Sequence, residues 1–378
     1  MIKIHSILSL LCTGVYLSVL CYLIRGWARL QTPPAPSPAK AYTTKVTVLI
    51  AARNEEDKIA LTIDDILAQD YPAELFELII ADDHSTDRTS EIISSYANRG
   101  VRLLQLWDEK ALNSYKKRAI AEAIKLSAGD FLVCTDADCR IGPQWLSSIV
   151  SYYENNDLVM VSSPVSYFDE KNLFELVQTL EFSYLIGMGA AFIGNGRAST
   201  CNGANFAYRK DTFYEVGGFK GIDDLASGDD ELLLQKVAEK YPGKIGFLKK
   251  REAIVYTHAK HTLHEFLQQR RRWASKSVKY KDKKVVAVAV GIWLFNLSMV
   301  VNLLLGFVDV YFLKLVLLQF VLKTIFETVY LLPIDRFLKR SNLVWLLVIL
   351  SPIHIIYFVY VGIMGNTKKY NWKGRNVQ

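Results

Sequence analysis

The sequence is poor in the residues that build covalent or metal staples. Its five cysteines, Cys12, Cys21, Cys134, Cys139 and Cys201, show no zinc-ligand spacing. A zinc-stapled class is therefore excluded, and in a reducing cytoplasm the cysteines stay as thiols. A basic, glycine-rich phosphate loop is also missing. Residues 51–57 read Ala-Ala-Arg-Asn-Glu-Glu-Asp, which argues against the early loop that a nucleotidyltransferase needs. No RNA- or DNA-reading motif accompanies the net charge of +7, so nucleic acid is not an expected partner. Without an internal repeat, and with few charges inside the apolar runs, a transporter or non-enzymatic nucleotide-binding membrane protein is the weaker alternative.

Charge itself is absent from long stretches. Ile4 to Ile24, Val285 to Leu305 and Leu343 to Met364 contain no Asp, Glu, Lys or Arg. Helices of that length cover roughly 30 Å, the thickness of a bilayer core. The first run exceeds the apolar core of about 7–15 residues that a cleaved signal peptide carries, so it reads as an anchor. Val310 to Leu332 is apolar too, but holds Lys314, Lys323 and Glu327. Lys323 and Glu327 stand i,i+4 and are expected to neutralise each other inside a bundle.

These runs divide the chain into an anchor (1–27), a stiff linker with Pro33, Pro34, Pro36 and Pro38 (28–44), and a central domain (45–260). An amphipathic interfacial helix (261–284), a region of about three spans (285–365) and a basic tail (366–378) follow. Arg25, Arg29, Arg270 to Arg272, Lys276, Lys279, Lys281, Lys283 and Lys284 border the apolar runs. The positive-inside rule then places the central domain on the cytoplasmic side of the inner membrane. One anchor and three further spans put the basic tail on the opposite side, against that rule. A re-entrant last segment, marked by Pro352, would resolve the conflict.

Between the apolar ends, strands of continuous apolar residues alternate with helices. Val46–Ala51, Phe76–Ala81, Val101–Leu106 and Phe131–Thr135 read as strands. Glu56–Gln69, Thr86–Ala97 and Tyr115–Ser127 read as helices. This is the pattern of an α/β domain with a mostly parallel sheet, whose ligands sit beyond the carboxyl ends of the strands. The residues after those ends are polar or acidic: Arg53, Asn54 and Glu55, then Asp82, Asp83 and His84, then Asp136, Ala137 and Asp138. Two carboxylates as close as Asp136 and Asp138 repel unless a cation intervenes. Mg²⁺ or Mn²⁺ would leave coordination positions for diphosphate oxygens; a loop or helix cap is the alternative for Asp-x-Asp alone. Ser85, Thr86 or Asp87 can cap the following helix, which frees one of Asp82 and Asp83 to accept a hydrogen bond from a base or ribose.

Over roughly residues 45–280, in order, the sequence resembles the family-2 glycosyltransferases of GT-A fold. Val48-Leu49-Ile50-Ala51-Ala52-Arg53-Asn54-Glu55 is similar to the family's opening strand and turn. Ile80 to Asp87 is similar to its Asp-Asp-Gly-Ser-Thr-Asp segment, with His84 where Gly is usual. Tyr115-Lys116-Lys117-Arg118-Ala119 resembles a Gly-Lys-x-x-Ala segment near the nucleotide, and Asp136-Ala137-Asp138 falls at the metal-binding Asp-x-Asp. Asn202 to Arg209 and Val216 to Phe219 resemble segments on the acceptor side. Ser227 to Leu233 resembles the Glu-Asp motif, with Asp229 at the Glu position.

The resemblance implies a metal-dependent, inverting transfer from a UDP- or GDP-sugar to a lipid-linked or polysaccharide acceptor. Asp230 is then the expected catalytic base; Arg53, Glu55, Asp82, Asp83, Lys117 and Asp136 bind the donor; Asp136 and Asp138 hold the metal. Gln269-Arg270-Arg271-Arg272-Trp273 fits a Gln-x-x-Arg-Trp motif, with Gln269, Arg272 and Trp273 on one helix side. Together with Asp229 these are expected to meet diphosphate and acceptor, Arg272 by bidentate bonds and Trp273 by stacking on a sugar. Arg270 and Arg271 read as a juxtamembrane anchor. His258 is a possible further metal ligand, and His261 and His264 read as a solvated pair.

Overall fold

The computed structural model describes residues 2–34, 42–107, 114–225, 227–275, 283–364, 370–372 and 375–377. Pro36 and Pro38 of the linker, Lys276 to Lys281, and Lys368, Lys369 and Lys373 of the tail lie outside the described residues. Helix α1 (Ile2–Arg29) leads, and the domain then begins with β1 (Val46–Ala52), α2 (Ile59–Leu67), β2 (Phe76–Asp83), α3 (Thr89–Ser95), β3 (Val101–Leu106), α4 (Tyr115–Leu126) and β4 (Phe131–Asp136). The four strands match the apolar runs because a strand covered on both faces can carry apolar residues at every position. Next come β5 (Arg140–Ile141), α5 (Trp145–Glu154), β6 (Met160–Ser162), β7 (Val165–Tyr167) and α6 (Leu173–Gly194). After α6 follow β8 (Phe206–Arg209), α7 (Lys210–Glu215), α8 (Glu231–Lys240), β9 (Ile245–Phe247), β10 (Val255–Thr257) and α9 (Leu263–Ser275).

The main sheet has seven strands in the order β3-β2-β1-β4-β8-β6-β9, and β5, β10 and β7 form a smaller sheet. β1 pairs in parallel with both β2 and β4, aligning Ala52 with Asp82 and Ala51 with Asp136. The chain runs outward from β1 to β3, then returns to place β4 on β1's other side. That reversal opens a crevice at the carboxyl ends of β1 and β4, where open α/β sheets bind ligands. The acidic tips of β2 and β4 flank it.

Three long helices follow, α10 (Lys283–Leu305), α11 (Val310–Leu338) and α12 (Leu346–Met364), and then a small hairpin of β11 (Tyr370–Trp372) and β12 (Arg375–Val377). Among the described residues, α1, α6, α10, α11 and α12 are long and apolar enough to cross a membrane, which associates the chain with the bilayer. Lys323 and Glu327 pair within α11 at 2.6 Å, and the Tyr16 hydroxyl of α1 donates to Glu327 at 2.5 Å.

The sequence reading did not anticipate α6. Its apolar residues are interrupted by Glu175 and Glu181, so no long uncharged run announces it. A helix with apolar residues on every side belongs largely inside a structure, and α6, despite its two glutamates, packs on α1 and α11. A Cβ at Gly26 would lie 2.1 Å from the Ala191 carbonyl oxygen, and one at Gly194 would lie 2.2 Å from the Gly26 oxygen. The two backbones touch because neither glycine has a side chain.

Candidate active site

The crevice is a cavity of about 480 Å³. Its acidic floor is built from four loops. The loop after β1 is lashed to that after β2: one Arg53 guanidinium nitrogen donates to the carbonyls of Asp83 (2.7 Å) and His84 (2.8 Å). The Asn54 amide oxygen accepts from the Thr86 N–H at 2.8 Å. His84 has φ +57°, the left-handed conformation that favours glycine at such a turn. Its ring pairs with Asp83 at 2.9 Å, so the turn keeps its shape without the glycine.

The loop after β4 is set from α2. The Thr62 hydroxyl lies 2.9 Å from the Ala137 carbonyl and 2.8 Å from that of Cys139, while Arg140 pairs with Asp65 at 2.7 Å. These bonds leave Asp136 and Asp138 facing the cavity. Asp230 caps α8, its carboxylate accepting from the Glu231 N–H at 2.6 Å and the Gly203 N–H at 2.9 Å. Two fixed amides therefore orient the carboxylate at the cavity wall.

Lys116 is the residue the sequence reading missed. Its ammonium lies 2.7 Å from Asp136 and 3.1 Å from Asp229, joining the tips of β4 and α8. Burial would lower its pKa, but Asp136 and then Asp229 hold it well above the ordinary lysine range. Burial likewise opposes ionisation of Asp229, yet the Lys116 and Lys117 ammoniums keep its carboxyl below the usual value. A cation inside this acidic cluster is what its charge requires.

Two expected donor ligands lie elsewhere. Lys117 is buried, and its ammonium donates to the carbonyls of Ile222 (2.7 Å), Leu225 (2.7 Å) and Ser227 (2.6 Å). It braces the loop before Asp229 and does not line the cavity. The family's Gly-Lys-x-x-Ala spacing, with Tyr115 at the Gly, puts the lysine at Lys116, so the signal was present but assigned one residue late. Asp82 is buried and accepts from the hydroxyls of Ser85 and Ser90. Neighbours on a strand point to opposite sides, and only Asp83 of the pair lines the cavity.

The wall nearer the apolar helices comes from α9. Gln269, Arg272 and Trp273 line the cavity. Arg270 is no anchor at a lipid surface: it is 4% exposed and pairs with Glu181 of α6 at 2.7 Å. Its guanidinium lies 4.3 Å from the Trp273 ring centroid and 4.5 Å from that of Phe266. It also donates to the Gln269 side chain at 2.6 Å. Burial would lower its pKa, but Glu181 and the neighbouring Tyr167 together hold it above the ordinary arginine range. Tyr357, Phe358 and Val361 of α12 complete this wall.

His258 borders the cavity and lies against Phe168, ring centroids 4.4 Å apart. Burial and then the Lys58 charge lower its pKa. His261 pairs instead with Glu175 at 3.0 Å, and His264 lies by Gln268. Among the described residues no cluster of three His, Cys, Asp or Glu side chains is drawn together tightly enough to hold a metal ion by itself. Asp136 and Asp138 fit a cation completed by ligand oxygens, because hard divalent ions take few protein carboxylates beside phosphates.

Residues 47–217 match the family described as Glycosyl transferase family 2. The fold is GT-A. Relatives include a glucosyl-dolichyl phosphate glucuronosyltransferase of Haloferax volcanii, 28% identical over 46% of this chain and 56% of that protein. A poly-β-1,6-N-acetyl-D-glucosamine synthase of Staphylococcus epidermidis is 27% identical over 46% of this chain and 41% of that protein. The chain thus spans about half the length of these relatives. A mannosyltransferase from Pyrobaculum calidifontis, solved with GDP-Man and Mn²⁺, shares the fold with a TM-score of 0.59 at 16% identity, over 96% of this chain and 98% of that one.

Proposed function

We propose that the protein is a membrane-bound inverting glycosyltransferase that draws a sugar from a UDP- or GDP-sugar at the cytoplasmic face of the inner membrane. The observation that carries this reading is one cavity uniting Asp136 and Asp138, Asp229 and Asp230, and Gln269, Arg272 and Trp273. Asp136 and Asp138 would hold Mg²⁺ or Mn²⁺, which when bound supplies positive charge against the departing diphosphate. Glu55, Asp83 and the Arg53-braced turn border the donor end. Lys116 and Arg272 bring fixed positive charge to the same end, where it stabilises a leaving group.

Asp230 takes the proton from the attacking acceptor hydroxyl. A carboxylate held by two backbone N–H groups needs no reorientation to do so. Trp273 offers an apolar ring face to a sugar. The acceptor is best read as lipid-linked, because α12 contributes Tyr357, Phe358 and Val361 to the same cavity and a bilayer-borne chain can enter beside them. The acceptor in the name of the Haloferax relative supports this, as does the Mn²⁺ of the mannosyltransferase for the metal. The basic residues bordering the apolar runs support the cytoplasmic orientation.

The test is release of nucleoside diphosphate from a panel of labelled UDP- and GDP-sugars, with and without membrane lipid extract. We expect one donor to be turned over and its label to enter the organic phase. Pyrophosphate release from a nucleoside triphosphate and sugar phosphate would instead indicate a nucleotidyltransferase. Donor binding without turnover in any lipid would overturn the enzymatic reading.

A further inference from the structure

A second cavity, about 1320 Å³, lies apart from the catalytic cleft, between α1, the end of α6 and α8. It exceeds the roughly 300–1,000 Å³ of pockets for drug-sized ligands. Its composition changes along its length. One wall is a single face of α1 running from Ile7 through Leu11, Gly14, Val15 and Ser18 to Tyr22. Sixteen residues of helix extend about 24 Å, most of the roughly 30 Å of a bilayer's hydrocarbon. Ile7, Leu11 and Val15 are 58%, 60% and 48% exposed, so the catalytic domain leaves this face to hydrocarbon.

At the Tyr22 end the wall becomes polar. Arg197, Ser199, Gln235 and Lys236 line it, with Glu239 the carboxylate among them. Arg197 is exposed, and no hydrogen bond or ion pair among the described residues engages its guanidinium. Lys236 is tethered to the carbonyls of Gly218 and Lys220 but still contributes charge. Arg29 adds another cation close by, donating to the Asn195 side chain at 3.2 Å. An apolar slot as deep as a hydrocarbon chain, ending at unsatisfied positive charge at the domain–bilayer boundary, has the layout of a lipid with an anionic head.

We propose that this cavity is a binding site for an anionic phospholipid, its phosphate on Arg197 and an acyl chain along the Ile7–Tyr22 face of α1. The site is distinct from the acceptor entrance beside α12. It lies behind the segment that leads from Ser199 into the cleft at Thr200 to Ala204. Gln235 donates to the Ser199 carbonyl at 3.0 Å, and Gly203 holds Asp230. A lipid bound here therefore rests on the two elements whose junction places Asp230.

The experiment is native mass spectrometry of the full chain released from nanodiscs of phosphatidylcholine with a minority of phosphatidylglycerol. Wild type is compared with Arg197→Glu and Gly14→Phe. Nothing lies within 4 Å of a Cβ added at Gly14, so phenylalanine starts from open space and projects its ring into the slot. The expected result is one retained phosphatidylglycerol on wild type and roughly tenfold lower occupancy in both variants, the scale of one charge-assisted contact. Unchanged donor-nucleotide affinity confirms that the variants are folded. Equal retention by all three proteins, or no preference over phosphatidylcholine, overturns the proposal and leaves only an annular lipid layer. Lipid occupancy is read without any glycosyl transfer, so failure of the enzymatic reading would be seen separately.

Discussion

Glu181→Ala should damage the enzyme through Arg270, and the structure sets the size of the effect. Glu181 and Arg270 are 15% and 4% exposed at their side chains, with three N–O distances of 2.7, 3.1 and 3.2 Å. Removing one partner of a buried pair costs about 3–5 kcal/mol, since the other charge is left unpaired. Phe266 and Trp273 still flank the guanidinium, and such stacking retains roughly 1–2 kcal/mol. The lower bound, about 3 kcal/mol, is therefore expected. The protein relieves it by letting Arg270 swing toward solvent, which shifts Gln269, Arg272 and Trp273 on the same helix. If that shift is felt fully in the transition state, turnover falls roughly a hundredfold. Initial rates of transfer and thermal unfolding, both in nanodiscs, measure the two consequences. The paired replacement Glu181→Met with Arg270→Met separates them, because apolar substitution of a buried pair restores stability but not the placement of Gln269. A single variant within about 0.5 kcal/mol of wild type, the range of an ordinary surface change, and with normal turnover, would refute the reasoning.

Asp230→Asn should retain donor affinity, measured by nucleotide titration, while transfer in membranes is lost; normal turnover would remove Asp230 from the role of base. The two lysines should part ways. Lys116→Met leaves Asp136 and Asp229 unpaired and should cut turnover by roughly 10–100-fold, the worth of one charged hydrogen bond, in a chain that still folds. Lys117→Met instead strands three carbonyls and should lower stability by about 3 kcal/mol, visible in a thermal melt. Chelation should abolish transfer, with Mn²⁺ or Mg²⁺ restoring it; Asp138→Asn should need more metal for half-maximal rate.

The parallel core was legible because β1, β2 and β4 are covered on both faces and so are mostly apolar before their tips, with Thr47 and Glu77 as exceptions. Their polar tips then had to gather at one sheet edge. Choices between adjacent residues were not legible. Asp82 and Asp83 differ by one step on a strand, which reverses the side chain, and Lys116 and Lys117 differ by about 100° around α4. Composition does not distinguish such neighbours; only the phase of each element against the sheet does. Arg270 was misread for a related reason. A cationic run beside an apolar segment resembles an anchor until its acceptor, Glu181, is seen, and that lies 89 residues away in sequence.

Helix α6 links the bundle to the site, and its glycines make that possible. Gly194 touches the backbone of Gly26, Gly187 admits Ile334 and Tyr330 of α11, and Gly189 lies against Thr200 at the cleft. A substituent at Gly194 meets a main-chain oxygen, which no rotamer change removes. Gly194→Val should therefore push α1 from α6 and lower stability by about 1–3 kcal/mol or more. The displacement enters residues 195–204 directly, so Gly203 and with it Asp230 should shift, and turnover should fall further than donor affinity. Gly142→Ala is the control, because nothing lies within 4 Å of its added methyl and its backbone carries no positive φ. If Gly194→Val melts and turns over like Gly142→Ala, the α1–α6 crossing does not position the catalytic segment, and the anchor is a tether alone.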